Sequence, residues 1–152
     1  EHLSVAISLF GLADLLHRTD RLRPALSAYR EALALFREHL GSEHSFVART
    51  RMGIGDVHHD LGHHERASDA LHDGFEQVRR IHSDSSLEYA MAAGRIGRFH
   101  LDRGNTSRAE MHLTDGLSAL QAIEKTTTPR QRALERELMH LSAGGVGEED
   151  SE

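Results

Sequence analysis

The chain has 152 residues, 38% of them hydrophobic and only 5% aromatic, with two prolines, no cysteine and a formal charge of −6. That length suits one compact domain or a short repeat array. The lack of cysteine excludes disulfides, thiolate catalysis and cysteine-ligated metals, while the acidic balance opposes a phosphate-binding surface and no apolar run is long enough to span a bilayer. Nucleic acid and membrane are therefore not expected partners, and with no basic-then-apolar leader the expectation is a cytoplasmic chain.

Taken in chain order, the apolar residues recur at helical spacing in pairs of segments separated by short polar breaks. The first pair runs through Leu9, Leu12 and Leu16 and, past "HRTDRLRPA", through Ala25, Tyr29 and Ala32; Pro24 falls in a first helical turn, where it is tolerated. The second pair is marked by Val47, Ile54, Val57 and Leu61, then Ala67, Leu71, Phe75 and Val78, with Gly62 between them able to take the positive φ that closes a helix. The third repeats the plan around Gly104. A last amphipathic segment, "TTTPRQRALERELMHL", opens with Thr128 as N-cap, Pro129 in the first turn and Gln131 three residues after the cap, and carries Leu134, Leu138 and Leu141 on one stripe. It predicts a capping helix over 128–142, followed by an acidic tail over 143–152 with no apolar pattern, expected to be disordered.

Written against itself at an offset of 42 residues, the chain aligns Val5-Ala6 with Val47-Ala48 and Tyr89-Ala90. The phase then holds through Ala13, Gly55 and Gly97, through Ala25, Ala67 and Ala109, and through Ala32, Gly74 and Gly116. Small residues in fixed columns let paired helices approach closely, and a fixed period is the signature of a stacked array. These columns resemble the tetratricopeptide repeat, and "REHLGSEHSFVA", Arg37 to Ala48, resembles the linker of its longer, kinesin-light-chain-like subclass. The family's early Trp column holds Leu9, Arg51 and Ala93 here, and its Tyr column Leu16, His58 and His100. The resemblance implies an all-α, right-handed α-solenoid of three helix-turn-helix repeats, approximately 1–42, 43–84 and 85–125, plus the capping helix. Because "EHLSVA" at the start aligns with "EHSFVA" at 43–48, further repeats or another domain are expected upstream of Glu1, and Leu3, Leu9 and Leu16 are expected to leave an apolar N-terminal face through which the chain could form a homo-oligomer.

A family of this kind implies a protein-protein interaction scaffold and not an enzyme, with no cofactor, binding a peptide or partner helix in a concave groove lined by the first helix of each repeat. On those helices the residues off the core stripe are Ile7, Phe10, Asp14 and His17, then Arg49, Met52, Asp56 and His59, then Met91, Arg95, Arg98 and Leu101. Apolar groups lie toward one end and charged or imidazole groups toward the other, a pattern suited to a peptide with one apolar anchor and nearby charges of both signs; the alternative is that Phe10 and Met52 are partly buried between repeats. The lysine and asparagine clamp of chaperone-binding members is absent. The alternative reading is a metal- or pH-responsive module built on the thirteen histidines, or a self-associating segment of a larger regulator. "HHDLGHHERA", from His58 to Ala67, concentrates four of them; the repeat phase reads it as a helix-turn-helix corner with its rings pointing apart, so no metal site is expected and His17, His59 and His63 are only weak candidate ligands.

Overall fold

The computed structural model describes residues 2–124, and all regular structure among them is helical: α1 His2–Arg18, α2 Leu22–Leu40, α3 Ser45–Asp60, α4 His64–Ile81, α5 Leu87–Asp102 and α6 Thr106–Glu124. The capping helix expected at 128–142 and the acidic tail at 143–152 lie outside the described residues. The helices pair as hairpins, α1 with α2, α3 with α4 and α5 with α6. The chain divides into two compact units, Glu1–Ser83 and Asp84–Glu152.

All three hairpins turn the same corner. Asp20, Gly62 and Gly104, which share a column, take positive φ of 60°, 76° and 73°. Each donates its N–H to the carbonyl three residues back, and the following residue donates to the carbonyl five back: Arg21 to Leu16, His63 to His58 and Asn105 to His100, each at 2.8 Å. These paired bonds are a Schellman motif, which satisfies two carbonyls orphaned at the helix end. The starts of α3 and α5 are capped by side chains instead, His44 Nδ1 accepting from Phe46 N–H and Ser86 Oγ from Tyr89 N–H.

In the first unit α3 packs on α2 and α4 and touches α1. Ten of its 16 residues are buried, against three of 17 in α1. The small column explains how close the hairpin helices lie. A Cβ added to Gly55 would fall 2.7 Å from Leu71 Cγ and 3.1 Å from its backbone nitrogen. Gly97 repeats this against Leu113, at 2.8 Å from its Cγ. Ala25, Ala67 and Ala109 are all buried. The linker between α2 and α3 is fastened to α4 by a buried amide: Gln77 donates to the Ser42 carbonyl and accepts from Arg51 at 3.0 Å. Outside it, Arg80 reaches Glu43 at 3.3 Å and His82 meets Ser45 Oγ at 2.7 Å.

Two glycines in helix interiors therefore respond oppositely to the same change. Gly11→Ala, where nothing lies within 4 Å of the added Cβ, should raise stability by about 0.5–1 kcal/mol through helix propensity. Gly55→Ala should lower it by about 1–2 kcal/mol, overpacking outweighing the same propensity gain. Urea denaturation of both variants checks the pair; equal signs would mean that Leu71 yields and that the small column does not set the spacing.

Candidate functional site

The expected stripe is built only in part. Ile7 on α1 and Arg49 on α3 stand in one column and both are exposed. Phe10, Met52 and Asp56, expected beside them, are buried at 8%, 2% and 7% exposure. They are a correction to the stripe. With neighbours on three sides, α3 turns more of its circumference inward than a helix covered on one face, and Met52 is pressed against Gly74 of α4, where an added Cβ would fall on its Cγ. Asp14 is half-buried and accepts from the Tyr29 hydroxyl. In the second unit Met91 and Arg98 are exposed, and Arg95 and Leu101 are half-buried.

Arg49 has a support that spacing alone did not reveal. Its guanidinium carbon lies 5.2 Å from the Phe10 ring centroid and 5.8 Å from that of Phe46. Phe46 in turn stacks on Phe36 at 4.9 Å, and Phe10 meets Tyr29 and Phe36 edge-on. Two rings, Phe10 of α1 and Phe46 of α3, thus form a floor under one exposed cation, backed by Phe36 and Tyr29 of α2. Attraction to the ring faces holds the planar group in place, and its N–H donors remain available to a carboxylate arriving from solvent. Phe10, lost from the stripe as a contact residue, acts from beneath it.

At the other end of the same helices, His17 Nε2 lies 2.6 Å from Asp60 Oδ2, joining the end of α1 to the end of α3. The histidine corner itself differs from its expectation. The rings of "HHDLGHHERA" do not point apart: His58 meets His63 with Nδ1 to Nδ1 at 3.2 Å, and His59 lies beside His64 with ring centroids 6.0 Å apart. Both pairs are five residues apart. In the Schellman motif the residue whose carbonyl is capped and the one whose N–H caps it are brought side by side, and an apolar contact commonly fills that position. Here two imidazoles fill it, one Nδ1–H donating to the other. The spacing of five around Gly62 was the signal in the sequence.

Among the described residues no group of three His, Cys, Asp or Glu side chains is placed to hold a metal ion, and His17, His59 and His63 are not gathered at one point. Arg30 and Arg66 lie close enough to His58 to act on its charge, as does His63, a setting that repels a cation. Burial first, then Arg30, His63 and Arg66, hold the His58 pKa below its ordinary 6.5. No helix among the described residues is long and apolar enough to cross a membrane.

Comparison with known proteins agrees with this architecture. Residues 5–45 match the family model of the tetratricopeptide repeat. Among solved structures the chain is similar to BtubC (BKLC) from P. vanneervenii, with a TM-score of 0.70 at 16% identity, over 100% of this chain and 68% of that one. No curated protein matches the sequence. The resemblance read from the repeat columns is thus shared by a family model over the first repeat and, among the described residues, by an all-α fold of helix hairpins.

The lowered His58 pKa fixes the sign of a pH effect. Between the folded value and 6.5 the unfolded chain binds more protons than the folded one, so stability is full above 6.5 and is lost as pH falls. His58→Leu, which places at this column the residue that α1 carries at Leu16, should shrink the fall in melting temperature between about pH 7.5 and about pH 5.5. An equal fall in both proteins would place the effect on other histidines.

Proposed function

We propose, from the tetratricopeptide repeat at residues 5–45 and the two hairpins that repeat its columns, that this chain is a non-catalytic protein-interaction scaffold reading a peptide or partner helix that carries an acidic group. The observation that carries the proposal is Arg49, exposed yet seated on the Phe10 and Phe46 rings, with exposed Ile7 in the same column of the neighbouring first helix. An arginine ordered before binding gives up less side-chain entropy when it meets a carboxylate, which favours it as an anchor. Ile7 supplies the apolar contact that a purely electrostatic site would lack. On the second unit the exposed pair Met91 and Arg98 offers the same chemistry: a flexible apolar side chain with a guanidinium on the same helix, α5. The residues offered to a partner are Ile7, Arg49 and His59 on the first unit and, taken by themselves, Met91 and Arg98 on the second.

The test is selection from a random peptide display library. The wild-type chain should enrich sequences with Asp or Glu near an aliphatic residue. Arg49→Glu should remove that acidic preference and weaken selected peptides about tenfold, equivalent to about 1.4 kcal/mol, while the melting temperature moves by only a few degrees because Arg49 is exposed. Failure to enrich any peptide, or enrichment that survives both Arg49→Glu and Arg98→Glu, would overturn the reading.

A further inference from the structure

The helix that carries Arg49 begins on a titratable cap. His44 is extended at the N-cap of α3, and its Nδ1 accepts from the Phe46 N–H at 3.2 Å. The His44 carbonyl is taken by Val47 and Ala48, and the ring nitrogen supplies the acceptor that the Phe46 donor lacks within the helix. Serine, threonine, aspartate and asparagine are the usual residues for this task. The third repeat follows that usage: Ser86, in the column of His44, accepts from Tyr89 N–H through its hydroxyl.

An imidazole differs from a hydroxyl cap in what a proton does to it. A ring nitrogen that accepts from an N–H carries no proton, and once it takes one it becomes a donor. The cap bond and the second proton therefore exclude each other. The charge that arrives is also badly placed, at the positive end of the α3 dipole. Around it stand Glu43, bonded to Arg80 of α4 at 3.3 Å, Arg49 one turn into α3, and His82 at the end of α4, on the Ser45 hydroxyl at 2.7 Å. The carboxylate of this group is engaged, and both guanidiniums oppose a further positive charge. From α1 and α2 it is rings, Phe10 and Phe36, that meet Phe46.

What His44 caps is also what Arg49 rests on. The His44 ring lies along Phe46 at 5.7 Å and 16°, Phe46 lies along Phe36 at 4.9 Å and 8°, and the Arg49 guanidinium carbon sits 5.8 Å from the Phe46 centroid. Phe46 is only half-buried, so a displaced His44 uncovers one of its faces and frees the first turn of α3 that holds it. We infer that His44 is a proton-operated latch on the Arg49 site: neutral, it keeps Phe46 under the guanidinium; protonated, it leaves the cap and the seat loosens. The consequence for a partner rests on the reading of Arg49 given above, while the response of Phe46 does not.

The first test needs no ligand. NMR spectra of the chain between about pH 7.5 and about pH 5.5 span the range in which an imidazole changes charge. As His44 takes its proton, the Phe46 amide signal should move upfield, the ring-current shift of the Arg49 δ-protons should shrink, and the Phe46 amide protection factor should fall about threefold or more. His44→Ser, which installs the cap of α5, should hold all three readings level across the range. His44→Ala should show the acid pattern already at the upper pH, and His82→Gln should keep the wild-type profile, separating His44 from its titrating neighbour. The second test repeats the random peptide selection at both pH values: recovery of acidic peptides should fall about threefold in acid for wild type and stay level for His44→Ser. A Phe46 amide that does not respond while the His44 ring titrates overturns the inference. So does an unchanged pH profile in His44→Ser, or peptide recovery that falls equally in both proteins. If neither pH enriches any peptide, the reading of Arg49 fails and the NMR profiles alone decide the latch.

Discussion

Everything in this chain depends on how closely the two helices of each hairpin can lie. At Gly55 and Gly97 the first helix has no side chain at the point where Leu71 and Leu113 of the second come in. Dispersion falls off within an ångström of added separation, so the missing methyl groups are what allow the leucines, and with them the whole apolar face, to reach full contact. The corner must then hold the chain at that spacing. It does so three times with the same pair of backbone hydrogen bonds and a left-handed residue, even where that residue is Asp20 and not glycine. A single geometry, set by a small residue and a turn, propagates through the array because each hairpin uses it.

The contrast between α1 and α3 follows from position in that array and not from composition. Both are first helices with matching columns, but among the described residues only α3 has a hairpin before it as well as its own partner after it. Val47, Ile54 and Val57 vanish from solvent there while Val5, Leu12 and Leu15 stay half out. The exposed cation at Arg49 is a by-product of the same arrangement. Only where α1, α2 and α3 all meet are there enough rings to make a floor under it.

The hairpins, their corners and the small columns were legible because each rests on local chemistry: a period, a glycine, an apolar face. Gly62 and Gly104 took the positive φ that their place after an apolar stripe implied. The candidate site was legible less well. Spacing assigns a residue to a side of its helix but cannot tell how much of that side a third helix covers, and so Phe10, Met52 and Asp56 were placed outside when they lie in the core. The pairing of His58 with His63 required knowing which residues a Schellman turn brings together, and Arg49 required knowing that Phe46, at the start of the next helix, folds back onto Phe36. On the outer side of α1 the exposed residues are Val5, Leu12 and Leu15 more than Leu9 and Leu16, a rotation of one position that periodicity does not resolve.

The uneven attachment of the helices also orders how the first unit comes apart. α3 cannot leave without breaking contacts to α1, α2 and α4. α1 packs on α2 and touches α3, with Ala6, Phe10 and Ala13 buried and His17 bonded to Asp60. Its departure would strip Phe10 from beneath Arg49, leaving the guanidinium with half its floor. A ligand resting on Ile7 and Arg49 therefore favours α1 in place, because Phe10 of α1 completes the seat of the arginine on α3.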